Sequence, residues 1–221
     1  MWPEPAALLR ALSLYRDQSL GVRLHTWLRA WSAPLQAVVA ALPAGESLLD
    51  VGCGHGLIAN EAALRSPHAR VLGIDLSETK IASAQATVGG RANLEFRLAP
   101  LRDVSDSGFG AVSLIDVLYL VPEASWANFL NTCFDKLKPG GVFVLKEVGT
   151  KPRWKFERLR VQEFLSTRVF RITTGESMHF ESEDELRKRL TTAGFEHVLL
   201  RRLDLGYTSP HLLLTGRKPP R

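Results

Sequence analysis

Leu48-Leu49-Asp50-Val51-Gly52-Cys53-Gly54-His55-Gly56 is an apolar run that ends in an acid and enters three alternating glycines. A chain that reverses this tightly while a ligand approaches its backbone needs residues that tolerate positive φ and carry no Cβ. Behind the bend, Leu57 to Arg65 reads as a helix whose free N–H groups point back over the strand end. Strand, bend and helix together predict a nucleotide-type pocket. The dinucleotide fingerprint would place its third glycine one residue later, where this chain has Leu57. A carboxylate at Asp50 would also repel a pyrophosphate, whereas it suits a ligand carrying an ammonium group.

A second acid follows at the distance such a pocket needs. Val71-Leu72-Gly73-Ile74-Asp75 reads as the next strand, and Asp75 at its end is placed to accept hydrogen bonds from both hydroxyls of a ribose. In these two phrases the chain resembles the class I, Rossmann-like S-adenosylmethionine-dependent methyltransferases, small-molecule branch. The resemblance covers about residues 44–218. It implies S-adenosylmethionine as cofactor and an α/β fold, a seven-stranded, mostly parallel, doubly wound sheet whose last strand is antiparallel. It also implies cofactor contacts at Asp50, Gly52, Cys53, Gly54, Gly56, Asp75, Leu76, Pro100, Leu101 and Asp116. Many relatives carry an acid for the adenine amino group after the third strand. Here that phrase is Ala99-Pro100-Leu101, so the base is expected to rest on backbone groups and apolar walls, with Asp103 as substitute acceptor. The Phe-Asp pair common before strand four reads Phe109-Gly110, and Leu120 stands where a histidine is frequent.

The composition sets the frame. A chain of 221 residues, 45% hydrophobic and 23% charged, suits one globular domain. No apolar run approaches the roughly 18 residues of a membrane span. Met1-Trp2-Pro3-Glu4 has no basic segment followed by an apolar one, so a cytoplasmic location is expected. Cys53 and Cys133 make neither a disulfide framework nor a metal-ligand spacing, so no metal is expected and both read as small packing residues. Between Lys151 and Arg171 seven basic residues face two acids, which accounts for the whole net charge of +5. Such a stretch attracts anionic substrates, RNA or an acidic membrane surface, or is simply a solvated helix face.

Residues 1–43 read as a helical extension ahead of a domain spanning 44–221. Leu8, Leu9, Leu12 and Tyr15, then Leu24, Trp27, Leu28 and Trp31, recur every three or four positions, and Pro34 opens a further short helix through Val38, Val39 and Leu42. Trp27, Trp31 and Tyr15 are candidates for pocket walls or for plain core, and Trp27, Leu28 and Trp31, with Arg23 and Arg29 nearby, for a membrane-interface face. After the glycine bend strands and helices alternate: Arg70 to Asp75, a helix from Ser77 to Val88, Leu94 to Arg97, Gly110 to Asp116, a helix from Glu123 to Leu137, a stop at Lys138-Pro139-Gly140-Gly141, and Val142 to Val148. Ser182 and Glu185 open a helix that runs from Glu183 to Ala193, and Phe195 to Leu205 and His211 to Gly216 then form neighbouring antiparallel strands. Residues 149–180 read as an insertion on the substrate side.

Methyl transfer from a sulfonium needs positioning, desolvation and, where the acceptor carries a proton, a base. Asp116 and His179 are the candidate catalytic residues; Tyr119, Glu147, Trp154 and Arg158 are candidates for the substrate side, with Tyr207 and Phe164 as weaker ones. Lys146 and Glu147 are adjacent at the end of strand five and could pair with each other. Ile115-Asp116-Val117-Leu118 lacks the Asn/Asp-Pro-Pro-aromatic phrase of nucleic-acid amino methyltransferases, so DNA is not expected. The expected activity is methylation of an O or C atom of a small, largely apolar acceptor such as a quinone precursor, an aromatic, polyketide-like or lipid-linked compound. The alternatives are an RNA-directed methyltransferase using residues 151–171 and a non-catalytic cofactor-binding or membrane-associated module.

Overall fold

The computed structural model describes residues 6–157 and 179–221, with side chains from Leu8 onward. Three helices lead in: α1 (Ala6–Ser13), α2 (Leu20–Ser32) and α3 (Leu35–Ala41). Then come β1 (Leu48–Val51), α4 (Leu57–Arg65), β2 (Val71–Asp75), α5 (Glu78–Gln85), β3 (Leu94–Leu98), β4 (Phe109–Ile115), α6 (Trp126–Lys136) and β5 (Leu137–Val148). The described chain closes with α7 (Glu183–Thr192), β6 (Glu196–Arg202) and β7 (His211–Arg217).

The strands form one seven-stranded sheet in the order β3-β2-β1-β4-β5-β7-β6. Every pair from β3 to β5 is parallel, and β7 runs antiparallel to both β5 and β6, so β7 is the reversed strand. Alternation along each strand sends successive side chains to opposite faces. Leu48, Val71, Ala111, Val144 and Leu213 pack against α1, α3, α4 and α5 on one face. Leu49, Leu72, Val112, Phe143 and Leu212 pack with Trp126 and Leu130 of α6 and Leu186 and Leu190 of α7 on the other. The order turns at β1 and β4, the place where an open α/β sheet leaves a crevice at its strand ends.

Local signals explain most boundaries. Ser77 Oγ accepts from Lys80 N, and Ser182 Oγ accepts from Glu185 N at 3.3 Å, so each serine caps its helix. The expected stop at Lys138–Gly141 is instead the entry of β5. Phe109 pairs with Leu137, the register slips, and pairing resumes at Ala111 with Val142. Gly140 N donates to Lys218 O at 3.0 Å, so glycines that read as a terminator serve as a bulge that keeps the strand in the sheet.

The largest departure lies in α2. Its recurring apolar residues predict a buried stripe, yet Leu20, Leu24, Trp27, Leu28 and Trp31 are all exposed, and Thr26 is the buried residue of the helix. Tyr15, by contrast, is core. Its hydroxyl donates to His55 O at 2.6 Å and accepts from Asn60 Nδ2 at 3.2 Å, tying the chain after α1 to the glycine bend. Asn60 Nδ2 also donates to Gly56 O and to Thr87 Oγ1, and Asn60 Oδ1 accepts from Arg91 at 2.6 Å. This buried amide fixes the start of α4 beneath the bend.

Candidate functional site

Between the carboxyl ends of β1 and β4 and the underside of α2 lies a cavity of about 250 Å³. Asp50, Gly52, Cys53, Gly54 and His55 form one wall, Ile115, Asp116, Tyr119 and Leu120 another, and His25, Thr26 and Arg29 of α2 the roof. Two of the glycines serve it differently. A Cβ on Gly54, at φ +58°, would meet no atom within 4 Å, so the bend is open where a ligand comes closest. A Cβ on Gly56 would sit 2.5 Å from the Phe96 ring, so that glycine permits the packing of α4 on the sheet.

Asp75 stands beside this bend. Its Oδ2 accepts from Gly54 N at 2.8 Å and its Oδ1 from Ser77 N at 2.9 Å, which fixes the carboxylate while leaving lone pairs on both oxygens. Leu76 next to it is exposed. Pro100 heads the 3₁₀ turn Leu101–Asp103, but the Leu101 side chain turns into the core with Val104 and Phe109, so it forms no wall for a base. Asp103 is mostly exposed, 3.6 Å from Arg102.

Asp50 is buried and accepts from Ser113 Oγ at 2.7 Å. Burial pushes its carboxyl up to about 7, against the Ser113 hydrogen bond and with the help of the Asp75 charge. An unfolded aspartate titrates near ~3.9, so between about 4 and 7 the folded chain binds the extra proton, and stability falls as pH rises through that window. A ligand ammonium needs the ionised carboxylate and so works in the opposite direction. Affinity for S-adenosylhomocysteine is expected to drop as pH is lowered from about 8 to about 6, and Asp50→Asn to flatten that dependence. Calorimetric titration across this range checks it; a flat profile for the unsubstituted protein refutes the contact.

Asp116 directly follows β4, with φ +56° in the left-handed region. Lys146 Nζ donates to Oδ1 and Oδ2 at 2.6 and 2.7 Å, and Arg29 of the roof donates to Oδ2 as well. Burial alone would raise its pKa, but the Lys146 ammonium and the Arg29 guanidinium outweigh it and hold the carboxyl below the usual range. A carboxylate so stabilised is a poor proton acceptor, which argues against Asp116 as the base. Lys146 and Glu147 do not pair: as neighbours on one strand they leave on opposite faces. Glu147 Oε1 instead accepts from Leu118 N at 2.8 Å and Val117 N at 3.2 Å, and burial, aided by the Asp116 charge, pushes it well up.

The other expected residues lie further out. His179 lines a smaller cleft with Tyr119, Glu147 and Phe180, its Nδ1 3.6 Å from Glu123, and does not line the cavity under α2. Trp154 is exposed, and Arg158, Phe164 and most of the basic stretch lie outside the described residues. Trp27 and Trp31 face away from the cavity, so the pocket-wall reading of these two is corrected; the roof is made by the polar side of the same helix. His25, Thr26, Arg29, His55 and Lys80 were not anticipated as pocket residues. The His25 and His55 rings meet edge to face at 5.1 Å, and both are held below the ordinary imidazole range by burial first, then His25 by Arg29 and Lys80 and His55 by His25 and Lys80. His55 Nδ1 is buried without a hydrogen-bond partner. Burial raises the Cys53 thiol well above its ordinary value, which keeps it unreactive. No group of three metal-ligating side chains occurs among the described residues.

A doubly wound sheet of this order, with a glycine bend open to a ligand and flanked by a ribose-type acid, defines a class I methyltransferase domain. The chain belongs to the methyltransferase domain family, whose model matches residues 23–200, and S-adenosylmethionine is the cofactor of that class. It is 31% identical over 114 residues to a ubiquinone biosynthesis O-methyltransferase from Pseudomonas savastanoi pv. phaseolicola, a match over 50% of this chain and 47% of the relative. The chain thus spans about half the length of the curated relatives it matches. Among solved structures it resembles the pyocyanin biosynthetic protein PhzM, with a TM-score of 0.71 at 18% identity over 93% of this chain and 60% of that one. It also resembles the magnesium protoporphyrin IX methyltransferase of Synechocystis PCC 6803, with a TM-score of 0.67 at 19% identity over 97% and 95% of the two chains. The site fits S-adenosylmethionine on its own geometry: an open backbone bend at Gly54, a fixed acceptor at Asp75 and a buried acid at Asp50.

Proposed function

We propose that this protein transfers a methyl group from S-adenosylmethionine to an oxygen, or less readily a carbon, of a small and largely apolar acceptor. The observation that carries the reading is the cavity beneath α2, where the open bend at Gly54, Asp50 and His55 lie under His25 and Arg29 of the roof, with Asp75 held beside the bend. The cofactor supplies an electrophilic methyl on a positively charged sulfur. Asp75 is read as orienting the sugar, Asp50 as receiving the ammonium, and the α2 roof as excluding water. His55 and His25, which line the cavity and pack edge to face, are the residues we assign to take the acceptor's proton. Asp116 is read as positioning the roof through Arg29. The ubiquinone-biosynthesis O-methyltransferases among the relatives support a hydroxylated aromatic of the quinone-precursor kind as acceptor. The insertion at 149–180 is taken as the acceptor side of the site.

Incubation with labelled S-adenosylmethionine and a panel of hydroxylated aromatics is expected to label a small molecule, and labelling of RNA or protein alone would remove this acceptor class. In the same preparation, Asp75→Ala is expected to weaken S-adenosylhomocysteine binding by about 2 kcal/mol, roughly 30-fold, through loss of a charged acceptor. Affinity unchanged by that substitution would sink the assignment of the sugar site.

A further inference from the structure

Helix α2 is amphipathic with its faces reversed. Turned about 100° per residue, Leu20, Leu24, Trp27, Leu28 and Trp31 fall on one stripe, and Arg29, Thr26 and His25 lie on the opposite side. That opposite side is the one against the body, where it roofs the cofactor cavity, and the apolar stripe points outward with Leu20 78% and Trp31 71% exposed. Exposed apolar area continues around it. Trp27 and Trp31 stack at 6.4 Å and, with Leu8, Leu9 and Leu12, face Tyr207 and Thr208 across a groove of about 460 Å³. The same loop carries Leu205, 79% exposed, and Lys155 Nζ donates to Tyr207 O at 2.9 Å, which brings the exposed Trp154 alongside. Contiguous apolar patches of this kind on a soluble protein mark a contact surface.

The charges around the patch identify what it contacts. Arg10, Arg16 and Arg23 on α1, α2 and the turn between them are exposed, against Asp17, and Lys151 and Arg153 flank Trp154, with Glu157 3.9 Å from Arg153. Tryptophans and leucines beside arginines are the composition of a helix lying in a bilayer interface, where indoles occupy the headgroup level and cations meet anionic lipid. A purely apolar protein surface would not account for the excess of cations beside these side chains. We propose that the outward face of α2, with Leu9, Trp154 and Leu205, docks on an anionic bilayer surface. The cofactor cavity lies directly beneath the docked helix. This surface stands apart from the acceptor assignment above, and its test uses neither acceptor nor cofactor.

The full chain is mixed with vesicles of phosphatidylcholine, with and without phosphatidylglycerol, and sedimented. Binding is expected to the anionic vesicles, to weaken as salt rises, and to fall about tenfold or more in Trp27→Ser/Trp31→Ser, whose indoles leave solvent in the bound state. The thermal melt of that variant, unchanged because both side chains are exposed, shows that folding is intact. Arg10→Glu/Arg23→Glu is expected to abolish the preference for phosphatidylglycerol. Failure to bind either vesicle, or binding indifferent to the tryptophans, overturns the proposal. So does a chain dimeric by light scattering that Trp27→Ser/Trp31→Ser turns monomeric without change in vesicle binding, because a second copy then covers the face.

Discussion

Replacing Asp116 by alanine is expected to lower the stability of the fold by about 3–5 kcal/mol, the cost of stranding a buried charge. In a chain of this size that amounts to a fall of roughly 10 °C in the melting temperature. The Lys146 side chain is 1% exposed, and its Nζ donates to both carboxylate oxygens of Asp116. Glu147, the next residue, is spent on the N–H groups of Val117 and Leu118 on the other face of the strand and cannot replace the lost carboxylate. Without Asp116 the ammonium must either give up its proton or draw water into the sheet end. Arg29 loses its partner in the same step, so the roof helix is released from β4. Asp116→Asn keeps the side chain's shape and its tolerance of positive φ, and so isolates the charge from the backbone strain that alanine adds. If the stranded ammonium is the cause, Asp116→Ala/Lys146→Met recovers most of the loss and the two substitutions are far from additive. Thermal melts of the parent, Asp116→Ala, Asp116→Asn, Lys146→Met and the double variant decide it; a melting temperature for Asp116→Ala within a degree or two of the parent would show that the ion pair contributes nothing to the fold.

This triad also marks the boundary of what the residues disclose in linear order. The glycine bend and Asp75 are legible because one turn demands particular residue types at a fixed spacing, and the strand and helix alternation follows because each period repeats several times. The roof is not legible in that way. Periodicity along Leu20 to Ser32 states which side chains share a face and is silent on what that face touches, so Trp27 and Trp31 read as pocket wall, as core or as a membrane-interface face, and nothing in the pattern points to His25, Thr26 and Arg29 as a roof. The polar side of the helix turns inward because Asp50 and Asp116 line the cavity: a roof over carboxylates is stabilised by a guanidinium and an imidazole and not by indoles. The separation of Lys146 from Glu147 was within reach, since the period of a strand is two, whereas the pairing of Lys146 with Asp116 depends on β4 and β5 being neighbours in register. Gly140 and Gly141 show the same limit from another side. Glycine after a helix is a common terminator, and only the partner strand reveals that here the chain bulges and continues.

Gly54→Val is expected to abolish cofactor binding, by more than about 100-fold, while leaving a folded protein. Two costs have to be separated. The backbone at Gly54 has φ +58°, where a side chain costs roughly 1–2 kcal/mol and a β-branched one more, so some loss of stability is expected. Sterically, however, a Cβ there meets no protein atom within 4 Å, so the fold does not resist it; the branched methyls project into the cavity that Asp50 and His55 also line. Gly56→Ala is the contrasting case. Its Cβ would strike the Phe96 ring at 2.5 Å and Ala84 at 3.1 Å, contacts within the core between α4, α5 and β3, so its penalty falls on folding. The pair thus predicts opposite signatures in a thermal melt run with and without S-adenosylhomocysteine. Gly54→Val melts somewhat lower and gains nothing from the ligand, whereas Gly56→Ala melts much lower and, where still folded, keeps a ligand-induced rise. Saturable stabilisation of Gly54→Val at concentrations that stabilise the parent would mean that the ligand does not pass over the bend, and the sugar and ammonium assignments at Asp75 and Asp50 would fall with it.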